Sequence, residues 1–140
     1  MIQGGAQLRR QLLQLSRNAQ GRALRAAVRA GIKPAQARAK QLIPVGDEAH
    51  KTEQGKVVRP GFARRSIRAI VKVSRDKTRA EALLGVRKEA RYAVQFIELG
   101  SSKTPAQPWL RPAFASQQQQ MVEAIAESLR KTIADAANTR

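Results

Sequence analysis

The sequence predicts an α+β fold: a long N-terminal amphipathic helix, a short second helix, a small antiparallel sheet and a long C-terminal helix. Three observations predict it. Apolar residues recur at three- and four-residue spacing at both ends of the chain. The period switches to two between Ile67 and Val86. The segment before that switch shows neither period and is rich in turn residues. The chain has 140 residues, which suits one domain and a modest core. It divides into a basic helical region (1–43), a long loop or arm (44–63), a sheet with a proline-braced loop (64–114) and a C-terminal helix (115–140).

Leu8, Leu12, Leu15, Ala19, Ala23, Ala26 and Ala30 form one stripe, with arginines around much of the remaining circumference. This predicts an amphipathic helix over about residues 5–30. The stripe narrows from leucine to alanine, so its second half can approach a neighbour closely. Gly31 is read as a stop and Pro34 as the first turn of a second helix, ending before Pro44. Residues 44–63 are read as a long loop with a short hairpin around Val57-Val58, an arm able to order on contact. Ile67, Ala69, Val71 and Val73 alternate with polar residues, as do Ala80, Ala82, Leu84 and Val86. These are two half-buried strands joined at Asp76-Lys77-Thr78. Tyr92 to Leu99 fits a strand face or a helix face, and is read as a short helix ending at Gly100. Phe114, Gln118, Met121, Val122, Ile125, Leu129 and Ile133 give the last stripe, a helix from about Pro112 to Ala137, on which Glu127 and Lys131 are spaced as an i,i+4 pair.

Charge is the second strong signal. Lys plus Arg number 27 against 10 Asp plus Glu, a formal net charge of +17. From Met1 to Gly46 there are nine cations and no acid: Arg9, Arg10, Arg17, Arg22, Arg25, Arg29, Lys33, Arg38 and Lys40. Such a segment fits a polyanion, an acidic protein surface, or simply a solvated helix face. Alanine supplies much of the 42% hydrophobic content, so little area is buried per residue and help from partner subunits is expected.

The inventory for catalysis is thin. There is no cysteine, hence no disulfide or thiolate chemistry. The one histidine, His50, lies between Glu48 and Glu53 and is read as an exposed loop residue rather than a metal ligand. No nucleophile elbow, P-loop or paired zinc ligands occur. We therefore expect no enzyme, no cofactor and no metal. No apolar run approaches the roughly 20 residues of a membrane span, and no signal-peptide core is read at the N-terminus.

The chain has five aromatic residues, and four of them (Tyr92, Phe96, Trp109, Phe114) lie between Gly85 and Phe114. Pro105, Pro108 and Pro112 stiffen the same stretch. A large anchor on a stiff loop loses little entropy on docking, and Trp and Arg dominate interface energies. Glu98, Pro105, Pro108, Trp109, Leu110, Arg111 and Pro112 are therefore the candidate interface. Trp109 has a second reading, as a plug of the domain's own core. Phe114 is read as core, and Tyr92 and Phe96 as packed internally. Glu98 is read as a partner of Arg111 or of a cation on another subunit, or as exposed. The candidate basic surface is Arg9, Arg10, Arg17, Arg22, Arg25 and Arg29.

The run Tyr92-Ala93-Val94-Gln95-Phe96-Ile97-Glu98-Leu99-Gly100-Ser101, followed by Pro105-Ala106-Gln107-Pro108-Trp109-Leu110-Arg111-Pro112-Ala113-Phe114, resembles the tail-completion, or head–tail joining, family of long non-contractile-tailed phages and prophages. Members typically carry Tyr-Ala, then Glu-aromatic-Gly-Thr, then Pro-aromatic-Leu-x-Pro-Ala. Here Leu99 stands where an aromatic is common and Ser101 where Thr is common. Upstream, Leu42-Ile43-Pro44 and Arg64-Arg65-Ser66-Ile67 occupy the places of the family's proline and sheet-opening Ser-Ile, with a longer stretch between them.

The resemblance implies structural work in a virion, namely the neck, or head–tail connector, of a bacteriophage. The subunit would form a homo-oligomeric ring, commonly six-fold, and serve morphogenesis without catalysis. Implied partners are copies of itself, tail-terminator or tail-tube proteins, head-connector proteins and passing genomic DNA, with no membrane. The implied location is the head–tail junction, after assembly in the host bacterial cytoplasm. The rival expectations are a small basic nucleic-acid-binding protein without sequence specificity, and a tail-terminator ring protein.

Overall fold

The leucine-to-alanine stripe folds as two helices, α1 (Gly5–Leu13) and α2 (Arg17–Leu42). The structure, a computed structural model, describes residues 4–45, 50–51, 57–100, 102 and 105–138. The break between the helices has a local cause. Ser16 Oγ accepts the Ala19 N–H at 3.3 Å, an N-cap that starts a new helix. The Gln20 side-chain amide donates back to the carbonyls of Leu13 (3.3 Å) and Leu15 (2.8 Å), occupying acceptors that a continuous helix would have used.

The expected stop at Gly31 is therefore displaced. Gly31 and Pro34 both lie inside α2, so the short segment comes first and the long one second. An interior proline costs roughly 3 kcal/mol in an isolated helix. Here the buried row Ala23, Ala27, Gly31, Ala35 and Ala39 carries α2 through it. Gly31 is needed for close approach. A Cβ there would meet Ile125 Cγ1 at 2.5 Å and Cδ1 at 2.8 Å.

That contact is with α5 (Leu110–Asn138), which runs antiparallel to α2: Gly31 faces Met121 and Ile125, while Ala39 shares a cluster with Ala113. The buried face of α5 is rotated from the expected one. Ala113, Ala126 and Ile133 are buried and Met121, Ile125 and Leu129 half-buried, but Gln118 and Val122 are exposed. The small row of α2 admits the bulkier Ile125 of α5 at Gly31, whereas Ala126 and Ile133 of α5 pack with Leu8 of α1.

The alternating segments form β3 (Ile67–Val73) and β4 (Ala80–Val86), paired antiparallel from Ile67↔Val86 to Val73↔Ala80. Their alternate residues lie towards α2. Before them come β1 (His50–Lys51) and β2 (Val57–Val58), the short hairpin expected there, and α3 (Phe62–Ser66). After β4 a 3-10 turn (Lys88–Ala90) leads into α4 (Arg91–Leu99), which ends at Gly100 with φ +77°. The main core gathers Ala39, Ile43, Ile67, Ala90, Val94, Trp109 and Ala113. A second cluster, Leu8, Ala126 and Ile133, docks α1 on α5. The side chains of Tyr92 and Phe96, and the arm residues 46–49 and 52–56, lie outside the described residues.

Candidate functional site

The two halves of the aromatic, proline-rich window meet at Glu98. One carboxylate oxygen, Oε2, accepts the N–H groups of Trp109 (2.7 Å) and Leu110 (3.0 Å), and Oε1 accepts that of Arg111 (3.3 Å). These donors open α5. The first four N–H groups of a helix have no partner within it. Glu98 takes three of them, and the fourth position, Pro112, has no N–H to satisfy. Ala113 then donates to the Trp109 carbonyl at 3.3 Å, and the helix proceeds. A carboxylate brought from another helix thus caps α5 and faces the positive end of its dipole.

Partial burial pushes the Glu98 carboxyl up. The N–H groups of Leu110, Trp109 and Arg111 and the charge of Arg111 outweigh it, so the group sits below the ordinary glutamate value. Two further contacts fix the loop behind it. The Gln107 N–H donates to the Ile97 carbonyl at 2.8 Å. Gly100 passes so close to Ala106 that a Cβ would lie 2.8 Å from the Ala106 nitrogen. Glu98 is therefore neither a solvent-exposed acid nor a simple ion-pair partner; its main task is to join α4 to α5.

The candidate interface residues separate by burial. Pro105, Pro108, Arg111 and Pro112 are exposed, and Glu98 and Leu110 are half-buried. Trp109 is only 2% exposed and packs with Ile43, Ile67, Val94 and Ala113. Of its two readings, the buried position matches the core plug. The cap holds the Trp109 backbone beside α4, and the ring lies in the core. Its indole N–H is buried with no hydrogen-bond partner among the described residues, a cost on the order of 1–3 kcal/mol that packing must offset. Phe114 is half-buried.

The basic surface is exposed at every residue named for it: Arg9, Arg10, Arg17, Arg22, Arg25 and Arg29. The sheet adds something the alternating pattern missed. Ile70 and Leu83 are cross-strand partners on the outer face, 44% and 47% exposed. They are apolar residues at positions where alternation calls for polar ones.

The turn between β3 and β4 is also more ordered than its three-residue signature implied. Ser74 Oγ donates to Asp76 Oδ1 at 2.6 Å and accepts the N–H groups of Thr78 (3.2 Å) and Arg79 (3.0 Å). The Ser74 hydroxyl, with Thr78, lowers the Asp76 carboxyl to about 2. Lys77 takes a left-handed φ of 60° in this turn, and its methylenes lie over Gly21 of α2.

Among the described residues, no group of three or more His, Asp or Glu gathers as a metal site, and no helix is long and apolar enough to cross a membrane. Glu48 and Glu53 lie outside the described residues. No protein-family model matches the chain, and neither a curated protein nor a solved structure does so.

Proposed function

We propose that this chain is a structural subunit of a tailed-phage neck, a tail-completion or head–tail joining protein that works by ring assembly without catalysis. The observation that carries the reading is the Glu98 cap. The resemblance rests on two separated motifs, Glu98-Leu99-Gly100 and Pro108-Trp109-Leu110-Arg111-Pro112. Their most distinctive residues, the glutamate and the start of the proline-bounded run, are in direct contact. Gly100, the other fixed residue of the first motif, has the positive φ and close approach that only glycine tolerates. A shared physical reason for both motifs supports a common origin with that family more strongly than either motif alone.

The cap also suits assembly work. It presents Pro105, Pro108, Arg111 and Pro112 on a braced surface next to a rigid helix, so docking orders few further groups. The partners are copies of the chain, in a ring of six, with tail-tube or tail-terminator proteins on one side and the head connector on the other. The test is direct. Tailed particles made by a genome encoding this chain are purified, and their peptides and neck density are recorded by mass spectrometry and cryo-electron microscopy. The chain is expected as a ring at the head–tail junction. Its absence from the particles, or its density elsewhere, refutes the proposal.

A further inference from the structure

We propose that Arg22, Arg25 and Lys77 form a phosphate seat for a nucleic-acid backbone, at the cleft where the β3–β4 turn crosses α2. The inference stands apart from the neck reading, and either can fail without the other. The cleft has a volume of about 250 Å³ and is lined by Asn18, Gly21, Arg22, Arg25, Val73 and Lys77, with no acid among them.

Its construction is specific. Lys77 is the one non-glycine residue with positive φ among the described residues, a conformation that costs a bulky side chain roughly 1–2 kcal/mol. The Ser74 hydroxyl network holds it there. The side chain then crosses Gly21, where an added Cβ would come within 2.8 Å of Lys77 Cδ. Gly21 thus leaves room for the lysine stem, and Lys77 lines the same cleft as Arg22 and Arg25, which lie three residues apart on α2. The one acid of the turn, Asp76, is engaged by Ser74 and Thr78 and does not line the cleft.

A polymer fits better than a single anion. Arg22, Arg25, Arg29, Lys33 and Lys40 are all exposed. At the helical repeat they fall within an arc of about 80°, opposite the buried alanine row, and span roughly 27 Å of axis. The seat lies at one end of this stripe. A duplex carries about one negative charge per 1.7 Å of its axis, so it can fill the seat and follow the stripe. Guanidinium forks match phosphate geometry, and such contacts position a backbone without reading its sequence.

The experiment titrates full-length protein against a fluorescent 24-base-pair duplex of arbitrary sequence over a range of salt. Wild type is expected to bind with a steep negative salt slope. Arg22→Gln/Arg25→Gln/Lys77→Met is expected to weaken binding at least about tenfold and to reduce the slope by about 2–3, as loss of that many phosphate contacts requires. The control Arg64→Gln/Lys88→Gln/Arg91→Gln removes the same formal charge from exposed sites and is expected to change affinity less than threefold. Methionine keeps the Lys77 stem over Gly21. Lys77→Met alone, expected to lower affinity two- to fourfold, serves if the triple variant does not fold. A flat wild-type titration at low salt, or equal losses in the two triple variants, overturns the proposal. So does tighter binding of polyglutamate than of the duplex through the same three residues, which would make the partner an acidic protein.

Discussion

Replacing Glu98 by alanine leaves the first turn of α5 with three N–H groups that have lost their acceptor. The cost follows from the geometry. Removing an N-cap acceptor costs roughly 0.5–2 kcal/mol, and a carboxylate at a helix N-terminus contributes roughly 0.3–1 kcal/mol more. Two of the three bonds are short and part-buried, at 2.7 and 3.0 Å, whereas the Arg111 bond is exposed and water can replace it. The expected loss is about 2–3 kcal/mol for Glu98→Ala and about 1 kcal/mol for Glu98→Gln, which keeps a carbonyl acceptor but no charge. The assay is urea unfolding followed by the fluorescence of Trp109, the only tryptophan and a buried one. With a slope near 2 kcal/mol per molar urea, the alanine variant's midpoint is expected to fall by about 1–1.5 M.

The pH dependence gives a second, independent sign. The folded Glu98 pKa is lowered, so its contribution is fully present above the ordinary glutamate value of 4.5. It fades as pH falls through the lower folded value, where wild type carries a protonated carboxyl much like the glutamine. The gap between wild type and Glu98→Gln should therefore be constant from pH 7 to about 5 and close below that. Asp76, whose carboxyl is also lowered, is present in both proteins, so its titration cancels in the gap between them. An unchanged midpoint for Glu98→Ala, or a gap to Glu98→Gln that persists unaltered at pH 3, would refute the cap.

Three more outcomes follow from contacts described above. Gly31→Ala is expected to lose about 1 kcal/mol or more by thermal denaturation, since the clash with Ile125 outweighs the helix-propensity gain. In an Ile125→Ala background the same change should become neutral or stabilising, and failure of that reversal would mean the helices do not approach there. Gly100→Ala should cost about 2 kcal/mol or more in a urea titration, because a strained φ and a contact with backbone rather than a movable side chain coincide. Trp109→Ala should cost about 3–5 kcal/mol, comparable to or greater than Ile43→Ala, as measured by calorimetry. A well-folded Trp109→Ala variant with wild-type stability would return Trp109 to the surface.

The physical origin of each correctly read element is local. Strand boundaries at Ile67–Val73 and Ala80–Val86 follow from alternation, and the turn residues between them leave one pairing register. The Gly100 terminus of α4 follows from glycine's freedom at positive φ. The amphipathic stripes and the concentration of cations before residue 46 can likewise be read directly from residue order. These features depend on a residue and its near neighbours, so a one-dimensional string contains them.

What required the tertiary structure depends on residues far apart in the chain. Gly31 looks like a helix stop until α5 arrives to occupy the space its missing side chain leaves. Glu98 looks like a stray acid until three N–H groups, eleven to thirteen residues onward, converge on it. Trp109 could be anchor or plug on composition alone, and only the assembled core shows it buried. Lys77 reads as an ordinary turn lysine, yet packing of that turn across Gly21 sets it beside Arg22 and Arg25. Periodicity thus determined the types of element and composition the sign of the surface, while the break between the first two helices fell elsewhere than expected. Packing decided which small residues are contacts, which polar groups are caps and which charges share a site, because those properties are distances between segments that sequence spacing does not encode.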